Sequence, residues 1–328
     1  MSYFTGIGKA SKSGILIKGS NYLDALKDVK EIVFDKTGTL TKGEFGVEEI
    51  KVYSEQYTKD QVLEFAAIGE CFSNHPIAIA ILKKYGKIIE KNNIKDFEEI
   101  SGKGISYKLD NKNIKIGNCD FTKSRKENDP GTIIYVKIDN EVIGALILND
   151  TLKSEAKEAI NSLKNIGIKT KMFTGDNSEI ALKAGNEIKV DEIKAEMLPQ
   201  DKYSQLEKII EINKNTINKV AFVGDGINDS PVLALADIGI SMGGIGASSA
   251  IEASDVVIMT DNLNKIEESI RISKKTNKII KQNLLFALII KILVLILSVL
   301  GIAQMWQAVF ADVGVTLITI INTMRILK

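Results

Sequence analysis

Three short acidic turns hold most of the chemistry that this sequence can perform. The first reads Asp35-Lys36-Thr37-Gly38-Thr39-Leu40-Thr41. A carboxylate at the end of an apolar run, then a glycine that lets backbone N–H groups turn inward, then hydroxyls able to hold phosphate oxygens, together suit an aspartyl-phosphate nucleophile. The second, Gly224-Asp225-Gly226-Ile227-Asn228-Asp229-Ser230-Pro231, crowds two carboxylates and a carboxamide into one loop. Hard oxygen donors in that arrangement suit Mg2+, and with Asp35 and Thr37 they outline a candidate metal region. The third, Thr174-Gly175-Asp176, adds a hydroxyl and backbone donors, and Lys202 offers a cation. Phosphoryl transfer needs little beyond a nucleophile, a metal and positive donors around the equatorial oxygens. Any one of these turns alone would pass for a capped loop; their combination points to phosphoryl transfer.

Stepping outward to the elements that position these turns, EIVFD, KTKMFTGD and KVAFVGDG are each an apolar run ending in an acidic residue, with amphipathic stretches such as LKSEAKEAINSLKNIG between them. Buried strands followed by helices predict a parallel α/β sheet, whose ligands lie beyond the carboxyl ends of the strands. Between EIVFDKTGTLT and LILNDTLKSEAK the texture changes. Helix signals at KDQVLEFAAIGECF and PIAIAILKKYGKIIEK precede alternating runs at ISYKLDNKNIKIGN and TIIYVKIDNEVIGALI. This pattern predicts an α+β domain inserted after the first strand of the α/β domain. The expected organisation is a lead-in over 1–27, the α/β domain over 28–45 and 149–265, and the insert over 46–148.

Composition narrows the chemistry further. Among 328 residues, 43 Lys and Arg face 42 Asp and Glu, and this balance gives no electrostatic reason to expect nucleic acid as a partner. One histidine and two cysteines exclude a histidine-ligated zinc enzyme, a zinc ribbon and a disulfide framework. The apolar residues crowd toward the C-terminus. Leu284 to Ile302 carries one charge, Lys291, and Ala308 to Ile321 carries one, Asp312. Two such stretches are long enough for membrane helices, expected at 283–303 and 306–326. The basic flanks KKTNKIIKQN and RILK put both ends in the cytoplasm and make the pair a hairpin. The alternative, a buried helical pair in a soluble core, would normally show a polar face.

DKTGTLT, TGDN and GDGINDSP, in this order, resemble the phosphorylation-domain signature of P-type ATPases, built on the haloacid dehalogenase fold. The resemblance implies that ATP phosphorylates Asp35, that Thr37 and Thr174 contact the phosphate, that Lys202 stabilises its charge, and that Asp225 holds Mg2+ with Asn228 and Asp229 nearby. The insert then has the task of bringing ATP to Asp35. Within it, Glu70-Cys71-Phe72-Ser73-Asn74-His75-Pro76 resembles the HP element of the heavy-metal-transporting branch. Gly102-Lys103-Gly104 and Gly117-Asn118 resemble that branch's nucleotide-binding glycines. An imidazole at His75 can stack on or hydrogen-bond adenine, Glu70 can accept from its exocyclic amine, and glycines let backbone approach the nucleotide.

Charges inside a bilayer are costly and point to function. Lys291 in one helix, Asp312 and Gly314 in the next, then Asn322 and Arg325, look like the zinc-, cadmium- and lead-exporting subgroup of these pumps. A carboxylate also fits a divalent ion better than Cu(I), which prefers sulfur. A plain structural ion pair between Lys291 and Asp312 is the competing explanation. The resemblance covers only the C-terminal half of such a pump. The actuator domain with its TGE loop and the helix bearing a Cys-Pro-Cys-type site are not in this sequence, so the expectation is a fragment or a split-gene product that needs a second polypeptide. Two further readings use the same residues: a soluble haloacid dehalogenase-type phosphatase, and a non-catalytic nucleotide-binding partner of a membrane subunit.

Overall fold

The structure is a computed structural model and describes residues 1–89, 94–100, 103–125, 131–225, 229–243, 248–301 and 305–327. The chain divides into two compact units, one of residues 41–153 with 177–180 and the other of the remainder.

In the larger unit the chain begins with α1 (Ser2–Lys12), β1 (Ile15–Ile17), α2 (Ser20–Ala25) and β2 (Val29–Asp35). It then leaves for the smaller unit, which is built from β3 (Thr41–Val52), α3 (Lys59–Glu70), α4 (Pro76–Tyr85), β4 (Lys95–Ile100), β5 (Gly104–Leu109), β6 (Lys112–Gly117), α5 (Cys119–Thr122), β7 (Thr132–Ile138) and β8 (Glu141–Leu152). The larger unit resumes with α6 (Ala156–Asn165), β9 (Lys169–Phe173), α7 (Ser178–Ile188), β10 (Glu192–Lys194), α8 (Pro199–Asn213), β11 (Lys219–Gly224), α9 (Ser230–Leu235), β12 (Ile238–Met242), α10 (Ser248–Ala253) and β13 (Val256–Ile258). Two long helices follow, α11 (Asn264–Val299) and α12 (Met305–Thr323).

The larger unit's sheet has the order β1-β13-β12-β11-β2-β9-β10, parallel throughout except for the β1–β13 pair. Its central strands are apolar without alternation, as strands covered on both faces must be: Ile32, Val33, Val220, Ala221, Phe222 and Val223 are fully buried. Two expectations need correction. The strand carrying Asp35 is the second in the chain, because Ile15–Ile17 pairs with Val256–Ile258 at the sheet edge. Three residues give too short a run to show a pattern. For the same reason residues 1–27 are not a separate lead-in but part of this unit.

The first long helix begins well before the membrane span expected at 283–303. It starts at Asn264 rather than 283 and runs unbroken to Val299, since no Gly or Pro interrupts it. Its first half buries Ile266, Ile270, Ser273, Thr276 and Ile279 against the α/β unit. Gly6 of α1 lies so close that a β-carbon there would stand 2.6 Å from Thr276 Oγ1. The second half of α11 presents an apolar surface, as does α12. Both helices are long and apolar enough to cross a membrane.

The smaller unit is an antiparallel sheet of order β3-β8-β7-β6-β5-β4, with α3 and α4 packed on it around Val62, Ala66, Ile81, Tyr107, Ile114 and Ile116. A capping box opens α3: Gln61 N donates to Thr58 Oγ1 at 3.3 Å and Thr58 N to Gln61 Oε1 at 2.9 Å. Gly86, at φ 65°, ends α4 well short of the expected continuation through KIIEK. Asp110 and Asn111, both at positive φ, make the two-residue turn between β5 and β6.

Gly104 faces Gly117 across β5 and β6. At φ +152°, a β-carbon on Gly104 would stand 2.1 Å from Ile116 O, while one on Gly117 would stand 2.3 Å from Lys103 O. Both glycines therefore have a packing reason to be there. Gly104→Ala should destabilise this unit by about 2–3 kcal/mol, combining backbone strain with overpacking. Hydrogen exchange on the full chain should show it as lost amide protection in β5 and β6; unchanged protection would mean that the crossing opens at no cost.

Candidate active site

Parallel register brings the three acidic turns to one edge. Phe34 on β2 sits opposite Met172 on β9 and Val223 on β11, and Asp35 sits opposite Phe173. Asp35, Thr174 and Asp225 therefore leave adjacent strands on the same side of the sheet, at the carboxyl ends where ligands collect in such folds.

Asp35 is only 5% exposed. Lys202, in the first turn of α8, reaches it with Nζ 2.5 Å from Asp35 Oδ1, and also donates to Asp229 Oδ1 at 3.1 Å and Oδ2 at 3.4 Å. Burial pushes the Asp35 carboxyl up, to about 7, against the pull of Lys202, and Asp229 and Asp225 push in the same direction as burial. Burial would lower the Lys202 ammonium, but Asp35 and Asp229 outweigh it and hold the group above its ordinary value. Two carboxylates thus share one lysine, and Asp225 adds a third negative charge beside Asp35.

Gly38 explains how they come so near. It takes φ +71° in the first turn, and a β-carbon there would stand 3.0 Å from Asp225 Oδ2. Thr37 beside it is exposed. Lys36 is buried and ion-paired with Asp176, so it ties the first turn to the third. Thr174 Oγ1 accepts from Asp176 N at 3.1 Å and shapes the Thr174-Gly175-Asp176 turn, while Gly175 lies beside Met197 O. Asp229 is 2% exposed and its carbonyl accepts from Val232 N and Leu233 N, starting α9. Asn228 lies outside the described residues. Sequence reasoning gave no individual role to Thr39, which is fully buried, its Oγ1 having no hydrogen-bond partner among the described residues. Its place in the first motif was the available signal.

Among the described residues no three His, Cys, Asp or Glu side chains are already grouped as a metal cage. The donor set nonetheless fits Mg2+: Asp35, Asp225 and Asp229 are hard oxygen donors, and their surplus negative charge over Lys202 is what a divalent cation would relieve.

In the smaller unit, Glu70 ends α3 at 7% exposure and His75 caps α4. His75 Nδ1 accepts from Ile77 N at 3.2 Å, which leaves Nε2 facing outward on an exposed ring. Glu70 and His75 are linked through a residue that sequence reasoning passed over, Ser73. Ser73 N donates to Glu70 O, its hydroxyl donates to Glu99 Oε1 at 3.3 Å, and it accepts from His75 N at 3.3 Å. Burial pushes the Glu70 carboxyl up to about 7, and the Glu99 charge adds to it. Close packing of Gly69 on Ile116 and Tyr107 sets this turn over β5 and β6, whose ends carry Gly104 and Gly117. Asn118 caps α5, accepting from Phe121 N at 2.9 Å. Gly102 lies outside the described residues.

Between the long helices, Lys291 Nζ stands 3.6 Å from Asp312 Oδ1. Nearer the α/β unit, Asn283 Nδ2 donates to Thr323 Oγ1 at 3.0 Å, Asn322 Nδ2 to Asn283 Oδ1 at 2.8 Å, and Arg325 Nη1 to Asn322 Oδ1 at 2.8 Å.

Comparison with known proteins agrees with this geometry. The whole chain is 49% identical to the cadmium, zinc and cobalt-transporting ATPase of Bacillus subtilis (strain 168), matching 47% of that protein. It is 44% identical to the zinc-transporting ATPase of Synechocystis, again over its full length and 46% of the relative. The chain thus spans about half the length of the curated relatives it matches. A crystal structure of a zinc-transporting PIB-type ATPase in the E2.Pi state superposes on the entire chain with a TM-score of 0.88 at 31% identity, over 54% of that structure. The catalytic domain of a CPx-ATPase covers 80% of the chain with a TM-score of 0.60. These relatives are metal-transporting ATPases, and two helices of this chain are long and apolar enough to cross a membrane. A family model for haloacid dehalogenase-like hydrolases matches residues 29–237, taking in Asp35, Thr174, Lys202 and Asp225, and the chain belongs to that family.

Proposed function

We propose that this chain is the catalytic and final membrane portion of a P-type ATPase that exports a divalent metal ion such as Zn2+ or Cd2+, working through an aspartyl phosphate at Asp35. The observation that carries the reading is the buried Asp35 paired with Lys202 at a strand end shared with Asp225 and Asp229. In the forward step a carboxylate oxygen of Asp35 attacks the γ-phosphorus of ATP, the bond to the ADP oxygen breaks, and ADP leaves with that electron pair. Lys202 and the backbone of the Thr174 turn neutralise charge on the equatorial oxygens. Mg2+, when bound by Asp35, Asp225 and Asp229, supplies further neutralisation of the transferring group. The buried Lys36–Asp176 pair holds the two turns in place.

In this reading the smaller unit binds the nucleotide, with Glu70 accepting from the adenine amine and His75 presenting its ring. The cargo site includes Asp312 as ligand, with Lys291 as a counter-cation that weakens binding when the ion must leave. The homologous pumps are about twice as long, so transport is assigned to the whole protein, in which an actuator domain and upstream helices complete the cycle, whether on the same polypeptide or on a separate one. The catalytic units face the cytoplasm, on the side of the basic flanks.

Two measurements test the reading. Incubation with γ-labelled ATP and Mg2+ should give an acid-stable, hydroxylamine-labile label. Asp35→Asn should abolish it, and Lys202→Ala should slow its formation about 100-fold or more. A folded wild-type chain that never labels under any metal condition would overturn the assignment, and stimulation by Cu(I) rather than Zn2+ would overturn the cargo. For the nucleotide, the ionised Glu70 carboxylate accepts more strongly than the neutral carboxyl, so calorimetric ATP affinity should rise as pH increases through about 7. Glu70→Gln should flatten that profile. Folding is linked with the opposite sign: the folded state holds a proton that the unfolded chain releases near its usual 4.5, so stability falls as pH rises from there through about 7. The span corresponds to at most about 3 kcal/mol, and the glutamine variant should lose it.

A further inference from the structure

In the smaller unit the turn that carries Glu70 and His75 is held by β4, a strand that bears none of the residues assigned to the nucleotide. β4 lies at the sheet edge next to β5. Asp96, at φ 49°, falls where the β4–β5 register shifts between Lys95 and Glu98. Beyond it Phe97 and Glu99 share a face of the strand, as residues two apart do. Phe97 meets Phe72 edge-to-face, with ring centroids 4.9 Å apart. Glu99 Oε1 accepts from the Ser73 hydroxyl at 3.3 Å, and the same hydroxyl accepts from His75 N at 3.3 Å. Because Ser73 N also donates to Glu70 O, one buried serine ties together the end of α3, the start of α4 and β4. The strand then runs into the glycine segment. There Lys103 N donates to Ile100 O at 3.0 Å, and Lys103 O accepts from Asn118 N at 3.0 Å.

Glu70 is the group that this arrangement serves. Its carboxyl is buried, yet among the described residues it accepts no hydrogen bond. The one charge that acts on it is Glu99, while Cys71 in the turn and Glu64 on α3 act on Tyr107 of β5, and the His75 ring is exposed. A buried acceptor without a donor is unfavourable, and a ligand that brings an N–H relieves it. We propose that Glu99 is a positioning residue for base selection: through Ser73 it fixes the Glu70–His75 turn so that Glu70 accepts from an exocyclic amine, and the unit thereby prefers adenosine nucleotides to those with a carbonyl at that place. The proposal rests on the nucleotide reading of this unit. It assigns to an exposed carboxylate outside the motif the task of aiming the motif's own side chains.

The test compares calorimetric affinities of the full chain for ATP and for ITP, which carries a carbonyl in place of the amine, at a pH above the value of about 7 to which Glu70 is raised. The wild type should bind ATP about tenfold more tightly or better, as a hydrogen bond to a charged acceptor implies. Glu70→Ala should bring the two affinities together. Equal binding by the wild type, or a preference that survives Glu70→Ala, defeats the nucleotide reading of Glu70 and the proposal with it. Where Glu70→Ala does remove the preference, the Glu99 variants decide the proposal alone. Glu99→Ala takes away the acceptor for Ser73 and should reduce the preference to about threefold or less, with ITP affinity within about twofold of the wild type. Glu99→Gln keeps an acceptor and removes the charge. It should retain the preference and move the rise of ATP affinity to lower pH, because a neighbouring negative charge opposes ionisation of Glu70. Circular dichroism and melting temperature establish that each variant is folded. Full preference in a folded Glu99→Ala chain, equal loss of ATP and ITP affinity in it, or an unmoved pH profile in Glu99→Gln overturns the proposal.

Discussion

Carboxylates that repel one another, held at one edge of a buried sheet, are the constraint on which the rest of this structure rests. Asp35, Asp225 and Asp229 lie where parallel strands end and where a single lysine reaches two of them. Like charges at this range in a poorly solvated site are unfavourable by several kcal/mol unless compensated. The scaffold tolerates them because the strands beneath are apolar and locked in register, with Phe34, Phe173 and Phe222 fully or almost fully buried. Gly38 is required at the same place, since a side chain there would press on Asp225. Backbone conformation, core packing and charge therefore all converge on one loop edge.

The same unit extends outward without a joint. A helix of 36 residues runs from the α/β sheet into the apolar pair, gripped in its first half by α1 through the close contact at Gly6. Ser273 Oγ donates to Leu23 O, which adds a second tie to the N-terminal segment. Continuous helix is stiff over this length, and nothing in it provides a hinge such as a proline or a glycine. The α/β unit and the level of Lys291 are therefore joined by continuous helix, with no linker between them.

How much of this was legible in the sequence depended on period and on context. The buried parallel strands were readable because short apolar runs such as Ile32–Phe34 and Val220–Val223, each closed by Asp or Gly-Asp, recur with amphipathic stretches between them. The turns that carry Asp35, Thr174 and Asp225 were readable for the same reason. β1 was not, because an edge strand of three residues has no period to detect, and its partner lies more than two hundred residues away. The start of α11 was displaced because hydropathy marks where a helix becomes apolar, not where it begins. Gly104 and Gly117 resembled ligand-binding glycines by motif, and only the three-dimensional crossing reveals that each also makes room for the other's strand. Ser73 and Glu99 were silent because a hydroxyl bridging a loop to a distant strand leaves no trace in local spacing.

Two carboxyls in this chain are pushed up to about 7, and the difference in their surroundings distinguishes what each can receive. Both are raised first by burial. Asp35 has a lysine within hydrogen-bonding distance and two further carboxylates beside it, so its ionised form is short of positive charge and gains most from a cation. Glu70 has no cation among the causes of its shift, only the neighbouring Glu99. It gains from a neutral donor that can satisfy an ionised oxygen without bringing a metal, as the amine of a purine would. A metal at Glu70 would have to be held with only Glu99 close by, whereas at Asp35 the additional carboxylates are already in place. The two raised carboxyls thus lie in separate compact units, Asp35 beside a lysine and two further carboxylates and Glu70 beside one carboxylate.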